Sequence, residues 1–317
     1  MDGTDASGGK WLKYSCLGCL GMVALVILVV AGILGLAWNK ANSARVEEQV
    51  LTRDLPAPEE TPGLPPESIA ADMPDAGHLA AGSPAGRVVL DVSDADFHIS
   101  PGVPGEPARV EATYDLDSYK LEETLEQGED GTWVYAVRFH RAGSWSIIGI
   151  LSEMISGHSP RVTVILPPDS PIALDLDLHH GGAKIDLGGL WLTSADFEVS
   201  MGGFDVRFSE PLREPIERLS IDASMGGAVF GFIGNASPRA LQVTHRMGGM
   251  ELDLRGRWSA DARIEVSSSM GGAVVRLPLD VGIDGLDSAG RNRTGPEGAP
   301  TLTFVVDTEM GELEFVD

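Results

Sequence analysis

The apolar positions of this chain fall into three regimes. From Cys16 to Trp38 (CLGCLGMVALVILVVAGILGLAW) 23 successive residues carry no charge. As a helix at ~1.5 Å per residue they span roughly 34 Å, enough for a bilayer core of ~30 Å. The pattern predicts a tail over 1–14 and one transmembrane helix over 15–38, with Trp11, Tyr14 and Trp38 as interfacial aromatics. The apolar run exceeds the ~7–15 residues of a cleaved signal peptide; Gly35-Leu36-Ala37 keeps cleavage as the alternative. From 39 to 86 the periodicity disappears. Pro56, Pro58, Pro62, Pro65, Pro66, Pro74 and Pro84, with the pairs Glu47-Glu48 and Glu59-Glu60, make a Pro/Ala/Glu-rich linker, with 41–53 a candidate continuation of the helix. Such composition buries too little apolar area to fold.

From residue 87 to 317 the period becomes two. Residues 88–92, 109–114, 132–139, 161–166 and 172–178 alternate apolar and polar, which predicts strands with one buried face. A unit then recurs around Met201-Gly202-Gly203, Met225-Gly226-Gly227, Met247-Gly248-Gly249 and Met270-Gly271-Gly272, with degenerate copies at His180-Gly181-Gly182 and Met310-Gly311-Glu312. The centres are 21, 24, 22 and 23 residues apart, then 40, so 180–317 is the most regular part. A fixed period of this size signals an array. Before each centre the apolar residues lie at even offsets, and the Met shares their face; after it they lie at odd offsets (Phe204, Val206, Phe208). The pleat slips by one across Gly-Gly. Glycine corners at positive φ between faces of a solenoid give that slip, with inward Met columns. A two-residue hairpin gives it too. The expected fold is all-β, a short-coil β-solenoid after the transmembrane helix; the alternative is an antiparallel β-sandwich. Coil stacking makes Lys184–Asp205, Asp186–Arg207 and Asp253–Arg276 lateral neighbours of opposite sign.

At these residues the chain resembles known domains. VTVILPPDSPIALDLDLHHGGAKIDLGGL followed by SMGGFDVRF is similar to the bacterial "putative adhesin" β-solenoid domains, and MGGAVVRLPLDVGIDG to the "toast-rack" domains of cell-wall-stress membrane proteins. The resemblance covers about 87–317. It implies a bacterial, membrane-tethered β-solenoid and brings no catalytic residues with it.

Charge and composition narrow the function. Asp plus Glu is 47 against 23 Lys plus Arg, a net charge of −24, which phosphate backbones repel; nucleic acid is excluded as a partner. Two cysteines make no disulfide framework, and Cys16 and Cys19 read as membrane-edge hydrophobes. Gly is 39 of 317 without a G-X-Y period, so collagen is excluded. Lys10 and Lys13 precede the helix and Lys40 and Arg45 follow it, so the short tail and long body decide for a signal anchor with an extracytoplasmic body at the inner membrane.

Candidate chemistry is sparse. Asp175, Asp177 and His179 share a strand face and form a Zn²⁺ or Cu²⁺ candidate, set against a plain corner role for the His179-His180 pair. No other metal and no cofactor is expected. Trp145, Ile147 and Ile148 lie in the most apolar stretch outside the membrane helix, a capping helix or a partner-binding element. Asp284, Arg291 and Arg293 lie in a long insertion, 279–300, read as a disordered loop or a binding projection. The final coil presents an open edge for a protein partner or self-association. The bilayer, through 15–38, is the other expected partner. The expected function is a non-enzymatic, membrane-anchored envelope protein, either a scaffold or adhesin-like binder or a stress-response accessory. The alternatives are a cytoplasmic filament-forming scaffold and a polysaccharide-acting β-helix enzyme.

Overall fold

In a computed structural model the structure describes residues 8–56, 86–129, 131–142 and 159–317, with the backbone alone for 8–24. Helix α1 covers Gly8–Ser43. It begins before and ends after the expected membrane span. Only 6% of the stretch Leu25–Ser43 is covered by protein, and Leu25, Val26, Ile27 and Leu28 are exposed. The helix does not continue to residue 53. Val46–Arg53 forms strand β1 inside the segment expected as a linker, antiparallel to β3 (Ala108–Asp115) from Val46↔Asp115 to Arg53↔Ala108. Its alternation was short and acid-rich, and pairing with a distant strand decided its state. Residues 57–85, the rest of that linker, lie outside the described residues.

The remaining strands are β2 (Gly86–Pro101), β4 (Tyr119–Gln127), β5 (Trp133–Arg141), β6 (Arg161–Leu166), β7 (Ile172–Asp186), β8 (Leu192–Arg207), β9 (Arg218–Gly231), β10 (Ala240–Asp253), β11 (Ala262–Arg276), β12 (Gly282–Asp284), β13 (Thr301–Thr308) and β14 (Glu312–Val316). Among the described residues the chain is mostly β: one α-helix, then one mixed sheet of many strands in the order β1-β3-β6-β2-β7-β8-β9-β10-β11-β13-β12. β3 pairs antiparallel with β1 and β6, and β4 with β5. From β2 to β11 every neighbour on this path is parallel, and the Gly-Gly positions are in register throughout, with one register shift between β7 and β8 at Ile172/Ala173. β5 and β6 pair with the first and second halves of β2, and β13 and β14 with those of β11. Trp145, Ile147 and Ile148, between β5 and β6 in the chain, lie outside the described residues.

The Met-Gly-Gly units lie inside continuous strands, not at hairpin turns. Met201, Met225, Met247 and Met270 are register partners in sequence, as are Gly202, Gly226, Gly248 and Gly271. These first glycines have φ of +143°, +121°, +117° and +128°. A Cβ on any of them would overlap the carbonyl oxygen of the matching glycine in the preceding strand. The second glycines are different: a Cβ on Gly203, Gly227, Gly249 or Gly272 would meet nothing within 4 Å.

The expected inward Met column is corrected by the structure. Met201, Met225, Met247 and Met270 are 37–44% exposed, whereas Val199, Phe204 and Val206 are buried. Alternation carries a side chain inward only along unbroken extended backbone. The turn at the first glycine breaks it and leaves the preceding Met on the outer side. Mild peroxide treatment of the folded chain should oxidise these four and spare Met250, which is 4% exposed. Peptide mass spectrometry reads the outcome.

The core follows the register. Val199, Ala223, His245 and Ser268 form one inward column. His245 is buried, its Nδ1 is 3.5 Å from Ser268 Oγ, and its Nε2 has no partner. Burial lowers its pKa. The unfolded chain thus takes up this proton first as pH falls below about 6.5, and stability drops from there towards the depressed folded value. His245→Val, matched to Val199 two strands away, should flatten that part of the pH–stability curve in urea unfolding. An unchanged slope would place the acid sensitivity elsewhere.

The lateral charge pairs keep their register, but their ion pairs differ from expectation. Lys184↔Asp205, Asp186↔Arg207 and Asp253↔Arg276 are opposed. Arg207 instead pairs with Asp205 on its own strand at 2.6 Å, Arg255 with Asp253 at 2.6 Å, and Arg276 with Glu251 at 2.6 Å. A neighbour two residues along the same face competes equally with one across the ladder.

Candidate functional site

The second glycines line a concave feature among the described residues. Gly182, Gly203, Gly227, Gly249 and Gly272 form a strip without side chains across the parallel strands, and it lines a groove of about 1280 Å³. Two residues further along each strand the outward positions read His98, Lys184, Asp205, Val229, Glu251, Val274 and Glu314. One end of the groove carries mixed charge, with Asp96, His98, Arg161 and Lys184, and the other is acidic, with Glu251, Glu312 and Glu314. Its long axis runs across the strands, so it suits an elongated partner and not a compact small molecule. The repeat corners were legible in sequence, but their division into a glycine the backbone needs and one it does not was not.

The expected metal residues are only partly brought together. Asp175 pairs with Arg87 and stands apart. Asp177 and His179 meet at 3.0 Å between Oδ1 and Nε2. The third member is Asp91, opposite Asp177 in the β2–β7 register. Sequence reasoning missed it, because the alternation in 88–92 (VVLDV) does not show that β2 lies beside β7.

The insertion 279–300, read from sequence as a disordered loop or a binding projection, is built into the fold. Val281, Ile283 and Leu286 are buried, and β12 pairs with β13. Arg291 and Arg293 reach Asp317 at 2.7 and 2.9 Å. The hydrogen bond from Arg293, with Arg291 adding, holds the Asp317 carboxyl below its ordinary range. Asp284 Oδ1 accepts from the Gly285 N–H at 2.9 Å. These three residues therefore serve internal contacts at one end of the ladder. The apolar run Val281–Leu286 was too short to show as a core segment before β13 was in place.

The structure thus defines a mostly-β chain with an N-terminal apolar helix and a groove of glycines across a parallel ladder. No family model matches the sequence, and no curated protein matches it. Among solved structures it resembles a "putative cell adhesion protein" from Clostridium sporogenes ATCC 15579, at 11% identity and a TM-score of 0.37, covering 86% of this chain and 99% of that one. It also resembles a "putative adhesin" from Bacteroides fragilis NCTC 9343, at 10% identity and 0.36, covering 86% and 98%. A third, a "putative adhesin" from Parabacteroides merdae ATCC 43184, has 10% identity and 0.29, covering 87% and 98%. Superpositions this loose define neither fold nor activity.

Proposed function

We propose that this chain is a non-enzymatic, adhesin-like protein of the bacterial envelope. In this reading α1 anchors it in the inner membrane, the body is extracytoplasmic, and the parallel ladder is a β-solenoid whose groove holds an elongated partner. The observation that carries it is the second glycine of each centre. The backbone does not need it at Gly203, Gly227, Gly249 or Gly272, since φ is not positive there and a Cβ would meet nothing within 4 Å. The open groove does need it. A side chain at each of these positions would fill the strip, so the residue choice is accounted for by what lies in the groove.

Two experiments test the reading. Replacing Gly203, Gly227 and Gly249 together with Val should leave the melting temperature close to wild type and abolish attachment of expressing cells to surfaces and to one another. Attachment that persists in a folded triple variant rejects the groove. Protease added to intact spheroplasts should remove the body and leave the anchor. Protection of the body would favour the cytoplasmic scaffold instead. The same reading includes end-to-end association through β14, which among the described strands pairs with β11 alone.

A further inference from the structure

Beside the corner of β7, away from the groove, three side chains converge. Asp91 stands on β2, and Asp177 and His179 on β7; all three are half-buried. One ligand atom from each lies within 4.8 Å of the other two. The orientation of the His179 ring is fixed from behind. Its Nδ1 is 2.9 Å from Ser200 Oγ, and that hydroxyl donates to the Leu178 carbonyl at 3.3 Å. A hydroxyl has one proton to give. In the Nδ1–H tautomer the Ser200 oxygen accepts from Nδ1–H, and the neutral imidazole keeps its lone pair at Nε2. Nε2 lies 3.0 Å from Asp177 Oδ1, a buried oxygen with no hydrogen-bond partner. Asp91 adds a second carboxylate on the same side.

We propose that Asp91, Asp177 and His179 bind one Zn²⁺ ion, and that Ser200 is a positioning residue that holds His179 in the metal-binding tautomer. Three protein ligands with an open fourth position are a common zinc arrangement. A mixed imidazole and carboxylate set favours Zn²⁺ over Ca²⁺ and Mg²⁺, which take oxygen ligands in larger numbers. At Zn–ligand distances of ~2.0–2.2 Å, tetrahedral donors lie roughly 3.3–3.5 Å apart, so small side-chain rotations close the cluster. The backing hydroxyl supplies the outer contact that zinc histidines use. The competing account is His179 protonated at Nε2 and donating to Asp177, with Ser200 Oγ donating to Nδ1, which needs no metal.

The test is calorimetric titration of ZnCl₂ into the full chain in detergent micelles. Wild type should bind one Zn²⁺ per chain, undisturbed by excess Ca²⁺. His179→Ala and Asp91→Asn should each weaken that binding by more than tenfold. Ser200→Ala should weaken it about tenfold, with the melting temperature of the metal-free chain unchanged. Asp175→Asn, on the same face but paired with Arg87, should bind as wild type does. Equal binding by His179→Ala, loss in Asp175→Asn as large as in Asp91→Asn, or displacement by Ca²⁺ would each overturn the proposal. They would reduce the signal to general attraction by an acidic surface.

Discussion

Gly226→Val lowers stability by about 3–5 kcal/mol, whereas Gly227→Val, one residue on, costs less than about 1 kcal/mol. Gly226 has φ +121° and stacks on Gly202, and a Cβ would overlap the Gly202 carbonyl oxygen. That oxygen belongs to the backbone of the next strand and cannot turn aside as a side chain would. The strand must shift, and the shift is passed on, because Gly248 stacks on Gly226 in the same manner. Gly227 has open space above it. For a folded unit of this size the first substitution should lower the melting temperature by roughly 10 °C, and the second by a few degrees at most. Differential scanning calorimetry of the two variants is the comparison. Equal shifts would mean that the glycine ladder does not carry the corner.

Phe204→Ala is the second large effect, at about 3–5 kcal/mol. The first inward position after each corner reads Phe97, Ala183, Phe204, Ala228, Met250, Ala273 and Leu313 across successive strands. Large and small alternate without a break, and Phe204 and Ala228 are both buried. Neighbouring strands are only ~4.8 Å apart, so a large side chain occupies the space beside its own strand and that of its neighbour. Ala228→Phe should therefore overpack and cost about 1–3 kcal/mol. The double variant should lie closer to wild type than the sum of the singles, because the added ring fills the volume vacated one strand away. Strict additivity in urea midpoints would show that the alternation is accidental.

Much of this was written in local pattern. The strands at 161–166 and from 172 onwards, and the mutual register of the Met-Gly-Gly units, follow from a period of two interrupted at a near-constant interval, since identical short units bury their apolar faces only against one another. The need for glycine was legible too, although not which member of each pair meets it. Other features were beyond local reading. Val46–Arg53 pairs with β3, at least 55 residues further along the chain. Asp91 joins Asp177 because β2 lies beside β7. Val281, Ile283 and Leu286 form a core segment only once they reach the end of the ladder.

By itself, then, the sequence determined an apolar helix, a parallel-compatible repeat and its glycine corners, because backbone sterics and hydrophobic period act over a few residues. Tertiary structure alone decided that the methionines face outward, that the second glycines open a groove, and that Asp91, Asp177 and His179 converge. Each of these depends on the direction in which the chain bends and on which strand lies alongside. No local pattern of polar and apolar residues carries that information.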